Sequence, residues 1–304
     1  MMFVDLVAVR RLVVWVFLWE IVGFPVAAQP LRMESADGVM VRIEDASRLV
    51  ALGGSVTETL FALGAGDRLV GVDQSSVYPP EAYALPQLGY FRQLSAEGVL
   101  SLNPSLVLAV ADSGPVTAIA QLRAAGVPVL LVPSVPSIEG ARTKIRTIAR
   151  AVGLTEAGER LIDGLQADLE KAAALPVDEA SAVRILFIYA RGSGTLNVSG
   201  TGTAADAMIR LAGARNAVEG YEDYRPLTAE ATVAAAPDVL LVLTRGLESV
   251  GGVDGLLKVP GLGLTPAGRA RRVVAMDDAL FLGFGPRLGE AVLLLKHLLY
   301  DQAP

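Results

Sequence analysis

Tyr90 and Arg92, a tyrosine and an arginine two residues apart, are the pair of side chains in this sequence that most clearly suggests a specific chemistry. A phenolate is an anionic oxygen donor of the kind that binds ferric iron. A free tyrosine is protonated at neutral pH, so the phenolate needs a neighbouring cation to favour it. Arg92 is one such cation, and Arg245, which follows a strand later in the chain, is the other. The pair therefore predicts an oxygen ligand for a hard metal ion.

Other reactive arrangements find little support. With one His and no Cys, the chain cannot assemble a site of several histidines or cysteines for zinc or manganese. The single histidine, His297, lies in the apolar helical stretch 289–300 and is predicted to be structural. Gly53-Gly54-Ser55 lacks the spacing of a nucleophile elbow. Gly64-Ala65-Gly66 follows a predicted helix, the reverse of a dinucleotide-binding turn. The sequence favours binding over catalysis.

From Arg48 onward, the apolar pattern alternates between strands and helices. It predicts a strand over 49–52, a helix over 55–63 with Ser55 at its N-cap, and a strand over 69–72. A second set of strands begins at Val183. Such alternation is typical of parallel sheets flanked by helices. We therefore expect an α/β fold with two lobes, each built on a central, mostly parallel sheet.

The two lobes are expected to span 29–137 and 176–304, joined by a long helix in the region 138–175, which has one break near Gly153. An internal repeat supports the duplication. Leu94-Ser95-Ala96-Glu97 recurs 133 residues later as Leu227-Thr228-Ala229-Glu230, and each copy precedes an apolar strand. Ser95 and Thr228 are the predicted N-caps of the two short helices.

The first residues have the order of an export signal, since Arg10 and Arg11 lead into an apolar run that ends in Val26-Ala27-Ala28. We expect cleavage near Ala28. The absence of cysteine argues against disulfides and against a cysteine-linked lipid anchor. A net charge of -6 argues against nucleic acid as a partner. These features predict a soluble protein of the periplasm.

In open parallel sheets, ligands bind beyond the carboxyl ends of the strands. If the two lobes face one another, these ends line a single cleft. The segments predicted to reach it contain several arginines and tyrosines: Tyr78, Tyr90, Arg92, Arg191, Tyr224, Arg225 and Arg245.

The segment Leu88–Leu100, LGYFRQLSAEGVL, resembles the haem-binding periplasmic proteins of bacterial ABC haem importers. These belong to the helix-linked class of binding proteins that also serves cobalamin and iron siderophores. The likeness extends over the turn at 53–58, TGTAAD at 201–206, PLTAE at 226–230 and FGPR at 284–287. It covers nearly the whole chain after the export signal.

The resemblance implies that Tyr90 ligates the iron of haem b, supported by Arg92 and Arg245. Haem also has two propionates and a wide apolar ring. Arg225 and Arg191 are candidates for the propionates, and Tyr78 and Tyr224 for stacking on the ring. Some relatives have a histidine ligand in the second lobe. Residues 201–216 contain none, which favours a single five-coordinate haem, and Met208 is expected to belong to the core.

The resemblance also implies partners. The protein is expected to be a monomer that delivers haem to an inner-membrane ABC permease with its ATPase, with an outer-membrane haem receptor as a further partner. Glu58 in the first lobe, and Asp206 in the second, are the candidate acids for docking on the permease. Both acids could equally belong to the start of a helix, where negative charge is favourable.

Three alternatives remain open at this point. A cobalamin or siderophore carrier of the same class would not need a phenolate. An exported enzyme acting on tetrapyrroles would need a general acid or base, for which the rim offers only Asp73, Asp112, Glu222 and Asp223. A sensor would bind the ligand and signal to a membrane partner.

Overall fold

The computed structural model describes residues 30–177, 182–190, 192 and 196–300. The predicted signal peptide and Arg191 lie outside these residues. The described chain forms two α/β lobes, as the sequence predicts. Within the described ranges, no helix has both the length and the apolar character to span a membrane.

The first lobe opens with an antiparallel hairpin of β1 (Leu31–Glu34) and β2 (Met40–Ile43). Its central sheet consists of four parallel strands in the order β4-β3-β5-β6. They are β3 (Leu49–Leu52), β4 (Leu69–Val72), β5 (Leu106–Val110) and β6 (Val129–Val132). Three helices accompany them: α1 (Gly54–Ala62), α2 (Ala96–Leu100) and α3 (Val116–Ala124). Every residue of β3, β5 and β6 is buried, as continuous apolar runs in a parallel sheet require.

The second lobe has a mixed sheet in the order β10-β8-β7-β11-β12, with β9 pairing with β7. Its strands are β7 (Arg184–Tyr189), β8 (Asn197–Ser199), β9 (Arg215–Asn216), β10 (Tyr224–Pro226), β11 (Val239–Leu243) and β12 (Val273–Met276). β9, β11 and β12 run parallel to β7 or to one another, whereas β8 and β10 are antiparallel to their neighbours. The prediction of a mostly parallel sheet is therefore confirmed, with two antiparallel strands at one edge.

The helices of the second lobe are α6 (Ala204–Leu211), α7 (Ala229–Ala235), α8 (Thr244–Ser249), α9 (Gly252–Leu257), α10 (Pro266–Arg269), α11 (Asp278–Leu282) and α12 (Leu288–Tyr300). His297 lies on α12, the helix that packs against the linking region.

Two helices, not one continuous helix, link the lobes. α4 (Ile138–Ala151) ends at the break predicted near Gly153, and α5 (Thr155–Ala174) follows it. Gly153 has a φ of +74°, which a glycine adopts without strain. α4 contributes Ile145 to the core of the second lobe and Ile148 to that of the first. Because one helix packs into both cores, the lobes share a buried junction.

The structure confirms the predicted caps of the repeat. The side chain of Ser95 accepts the backbone N–H of Gly98 at the start of α2, and Thr228 does the same for Ala231 at the start of α7. The prediction that Ser55 caps α1 is wrong. Gly53 occupies the N-cap, and Ser55 lies one residue inside the helix, where its hydroxyl accepts a hydrogen bond from Lys144.

Candidate functional site

Backbone hydrogen bonds hold the segment before Tyr90 against the carboxyl end of β4. The N–H of Leu88 donates to the carbonyl oxygen of Val72 over 2.9 Å, and the N–H of Gln74 donates to that of Gly89 over 2.7 Å. Gly89 has a φ of +78°, so the chain turns sharply just before the tyrosine. Tyr90 is thereby brought to the predicted rim of the first lobe.

A second anchor fixes the same segment to the turn after β5. The N–H of Gly114 donates to the carbonyl oxygen of Phe91, and the N–H of Leu94 donates to that of Gly114, each over 2.9 Å. Residues 90–94 therefore lie between the ends of β4 and β5. This position brings the Tyr90 segment alongside Asp112, which belongs to the same turn.

Tyr90, Arg92 and Asp112 form a hydrogen-bonded chain. Nη1 of Arg92 donates to the phenol oxygen of Tyr90, and Nη2 of Arg92 pairs with the carboxylate of Asp112. The side chains of Arg92 and Asp112 are about half exposed. Burial lowers the pKa of Arg92, but the negative charge of Asp112 and the contact with Tyr90 outweigh it and raise this pKa above its ordinary value. Arg92 is thus a permanent cation on the phenol oxygen.

Aromatic packing supports this chain. The rings of Tyr90 and Phe91 meet edge to face with centroids 4.7 Å apart. The guanidinium carbon of Arg92 lies 4.6 Å from the centroid of Phe91. Because Phe91 is buried, it holds one face of the guanidinium in place. The phenol oxygen keeps lone pairs that an incoming cation can bind.

Arg245 reaches across to the first lobe, but to a different tyrosine from the one the sequence suggested. Its Nη2 lies 3.0 Å from the hydroxyl oxygen of Tyr83. Tyr83 belongs to the short 3-10 helix Pro80–Ala84 and keeps 60% of its surface exposed. In this conformation Arg245 therefore donates to Tyr83, and the expected contact with Tyr90 is not among those that the described residues form.

Tyr78 and Glu58 share one partner from the second lobe. The guanidinium of Arg287 lies over the ring of Tyr78, 3.5 Å from its centroid. The same group forms two hydrogen bonds of 2.9 Å to the carboxylate of Glu58. Burial lowers the pKa of Arg287, but the hydrogen bonds and charge of Glu58 outweigh it and raise this pKa. Glu58 is 5% exposed, so it does not present the open carboxylate expected of a docking residue.

Lys144 completes this junction from α4. Its ammonium donates to the hydroxyl of Ser55 over 3.0 Å and to the carbonyl oxygens of Gly283 and Phe284 over 2.9 and 3.2 Å. The side chain is fully buried. Burial lowers its pKa from 10.5 to about 8, although Glu58 acts in the opposite direction. The first lobe, the linking helix and the second lobe meet at this cation.

Asp206 is also buried, within the first turn of α6. Its carboxylate accepts the backbone N–H of Gly202 over 3.2 Å and the side-chain amide of Asn216 over 3.1 Å. Arg210 pairs with it from one turn further along the helix. These contacts fix the helix start, so the structure does not meet the expectation of a surface acid for docking here either.

Tyr224 and Arg225 lie on the edge strand β10, which pairs with β8. Tyr224 keeps 39% of its surface exposed, yet its ring approaches those of Phe187 and Tyr189, with centroids 6.4 and 6.0 Å away. Burial among these rings raises the pKa of Tyr224. Arg225 lies over the ring of Tyr221, 4.4 Å from its centroid, and remains exposed. Both residues already pack within their own lobe.

An open cavity of about 520 Å³ lies beside Asp112 at the ends of β5 and β6. It is lined by Ala36, Ala111, Asp112, Pro133, Ser134 and Val135. The lining is largely apolar with one carboxylate at its edge. Asp112, at one end of the hydrogen-bonded chain of Tyr90, therefore borders this space.

Sequence reasoning missed three contributors: Tyr83, Lys144 and Arg287. Lys144 had a detectable signal, because it shares the apolar face of α4 with Ile145 and Ile148. A lysine on such a face needs polar partners inside the core. Arg287 ends the FGPR segment at 284–287, but nothing in the sequence indicated that its partner is Glu58. Tyr83 had no signal beyond its place between Tyr78 and Tyr90.

The fold is similar to those of known periplasmic binding proteins over most of the chain. The periplasmic heme-binding protein RhuT from Roseiflexus sp. RS-1, in its apo form, is 48% identical and superposes with a TM-score of 0.80, covering 84% of this chain and 99% of RhuT. The periplasmic heme-binding protein BhuT in complex with two hemes is also 48% identical, with a TM-score of 0.79, covering 84% of this chain and 98% of BhuT.

Sequence comparison extends to an uncharacterized ABC transporter substrate-binding lipoprotein, YvrC of Bacillus subtilis. It is 31% identical over 278 residues, which cover 89% of this chain and 86% of YvrC. The model of the periplasmic binding protein family matches residues 49–280, which include the central sheets of both lobes. The chain belongs to the periplasmic binding protein family.

Proposed function

We propose that this protein captures haem in the periplasm and delivers it to an ABC importer. The observation that carries the proposal is the chain Tyr90–Arg92–Asp112 at the rim of the first lobe. The 48% identity to two periplasmic heme-binding proteins supports the same reading. The relatives found are binding proteins, and a binding role agrees with a site in which one phenol oxygen is held ready by a cation.

In this proposal, Tyr90 supplies the axial oxygen ligand of the ferric iron of haem b. Arg92 donates a hydrogen bond to that oxygen and so favours its anionic form. Asp112 orients Arg92, and the apolar lining beside Asp112 offers a surface for the porphyrin.

Tyr78 and Tyr224 each keep 39% of their surface exposed, which leaves an edge of each ring for the ligand. Arg225 is the exposed candidate for a propionate.

The first test is titration of the purified protein with hemin. We expect a Soret band and the charge-transfer absorption of a ferric phenolate. Tyr90→Phe should lose the charge-transfer feature, whereas Tyr300→Phe, whose phenol donates to the carbonyl oxygen of Gly213, should keep it. If Tyr90→Phe binds hemin as tightly with an unchanged spectrum, Tyr90 is not the ligand. If the wild type does not bind hemin, the function itself is wrong.

Competition distinguishes haem from the other ligands of the class. Cobalamin and ferric siderophores should fail to displace hemin. Neither needs a phenolate, so the Tyr90 oxygen would stabilise bound hemin without stabilising these competitors. Displacement of hemin by cobalamin at equal concentration would overturn the choice of ligand. An enzyme acting on tetrapyrroles would alter hemin during long incubation, so we expect quantitative recovery of unmodified hemin.

We propose one haem per protein. BhuT is in complex with two hemes, but residues 201–216 of this chain contain no histidine, and Met208 is fully buried in the core of the second lobe. Calorimetric titration should therefore saturate at one hemin. Saturation at two would show that the second lobe supplies a ligand other than histidine.

Delivery is proposed to involve an inner-membrane ABC permease with its ATPase, an outer-membrane haem receptor upstream, and a monomeric carrier. Growth of the cells on haem as the iron source tests this delivery role. Deletion should abolish that growth, whereas a sensor would alter only gene expression.

A further inference from the structure

A second pair of phenol and guanidinium spans the two lobes. Nη2 of Arg245, two residues after β11, donates to the hydroxyl oxygen of Tyr83 in the first lobe over 3.0 Å. Both side chains are exposed. The contact joins the segment that follows β4 to the segment that follows β11, so both residues lie on the carboxyl side of the strands of their lobes.

The charge of this pair differs from that of the first pair. Arg92 is neutralised by Asp112. Arg245, in contrast, has no carboxylate within 4.0 Å among residues 30–177, 182–190, 192 and 196–300. Asp112 and Arg245 also occupy equivalent positions in the two lobes, since Asp112 stands two residues after β5 and Arg245 two residues after β11, the strands that follow the two copies of the repeat. The rim therefore carries a paired charge on one lobe and an unneutralised cation on the other.

The hydrogen-bond donors of the pair remain largely unused. A guanidinium has five N–H donors, and within the part of the chain that the structure describes the Arg245 guanidinium makes one hydrogen bond, to Tyr83. The phenol of Tyr83 accepts that bond and keeps its own O–H to donate. A carboxylate has two oxygens that accept several hydrogen bonds, and it matches the planar fork of arginine. The free donors of both residues thus suit one carboxylate.

We propose that Arg245 and Tyr83 form a clamp for a carboxylate of the bound ligand, which in haem is a propionate. This inference rests on the proposed function. Because the two residues belong to different lobes, the carboxylate ties the lobes together when the ligand is loaded. Tyr83 is then part of the ligand site, and Arg245 serves the propionate and not the iron ligand.

The experiment compares hemin with its dimethyl ester, in which both propionates are capped. The wild type should bind hemin more tightly than the ester. Arg245→Gln should weaken hemin binding by about tenfold or more and Tyr83→Phe by about fivefold, as expected for a charge-assisted and a neutral hydrogen bond. Neither substitution should weaken binding of the ester. The phenolate spectrum of bound hemin should stay unchanged in both variants.

Matched controls are Arg271→Gln and Tyr300→Phe. Arg271 pairs with Asp254 on the surface of the second lobe, and Tyr300 bonds to the backbone of Gly213. Neither should change the preference for hemin over the ester.

Three results would overturn the clamp while leaving the function intact. The wild type could bind hemin and the ester equally. The two variants could weaken both ligands alike. Arg245→Gln could shift the phenolate charge-transfer band, which would show that Arg245 acts on Tyr90. Failure of the wild type to bind hemin would instead reject the function.

Discussion

Arg287 and Glu58 form an ion pair between the lobes, in which Nε contacts Oε1 and Nη2 contacts Oε2, each over 2.9 Å. The carboxylate side chain is 6% exposed and the arginine 20%. Two-contact geometry of this kind is the strongest that arginine and a carboxylate make. Gly285, in the segment after α11, lies beside the pair, since a Cβ added there would be 3.6 Å from Oε1 of Glu58.

We predict that removing either partner destabilises the protein. Arg287→Met leaves a buried carboxylate without its cation, which costs about 3 kcal/mol. Glu58→Gln should cost less, because Arg287 is more exposed and can reach water. The double variant should recover part of the loss, since neither charge is then left alone. Urea unfolding of the four proteins gives the coupling free energy. Purely additive losses would mean that the pair contributes no coupling.

A second prediction concerns Lys144 and pH. Burial lowers the pKa of Lys144 from 10.5 to about 8 in the folded protein. Between these values the unfolded chain holds a proton that the folded chain has released, so the free energy of unfolding should rise with pH through this window. Below about pH 8 both states are protonated and the full cost of burying the charge is present. Across the whole window the gain is about 3 kcal/mol.

Lys144→Met provides the comparison, because methionine has a similar length and does not titrate. The variant should lose the rise between pH 8 and 9.5, and the wild type should show it in urea unfolding at each pH. A parallel pH dependence in both proteins would assign the rise to other groups.

A third prediction tests how Arg92 holds Tyr90. Its guanidinium contacts Tyr90 through Nη1 and Asp112 through Nη2. Lysine keeps the charge but has one nitrogen, so it cannot reproduce this fork. Arg92→Lys should therefore weaken hemin binding by about fivefold to tenfold. Measured affinity equal to that of the wild type would mean that charge alone suffices.

The elements of the fold follow from local patterns, and many of the site contacts do not. The apolar runs 49–52 and 69–72 became strands with the predicted bounds, because burial of continuous apolar residues is a local property of the sequence. Glu58 and Arg287, in contrast, are 229 residues apart, and only the packing of the lobes brings them together. Nothing in the sequence near either residue distinguishes a paired charge from a solvated one.

The wrong prediction of an N-cap at Ser55 has a structural cause in residues that are distant in the sequence. Serine just before a helical stretch predicts an N-cap. Here the carboxylate of Asp73 accepts the N–H of Gly53 over 2.7 Å, and the hydroxyl of Ser75 accepts that of Gly54 over 2.9 Å. The loop after β4 thus satisfies the helix start, and the Ser55 hydroxyl is left for Lys144.

The last prediction concerns Gly53, which has a φ of +108° at the start of α1. A Cβ at this position would lie 2.7 Å from Cγ1 of Val110 at the end of β5. Gly53→Ala therefore combines backbone strain with a clash and should cost about 3 kcal/mol. Gly64→Ala is the control, because its φ is +80° but nothing lies within 4 Å of the added carbon, so it should cost only about 1 kcal/mol. Because Val110 stands two residues before Asp112, Gly53→Ala should also weaken hemin binding, and Gly64→Ala should not. Equal losses of stability in the two variants would show that strain, and not the contact with Val110, determines the cost.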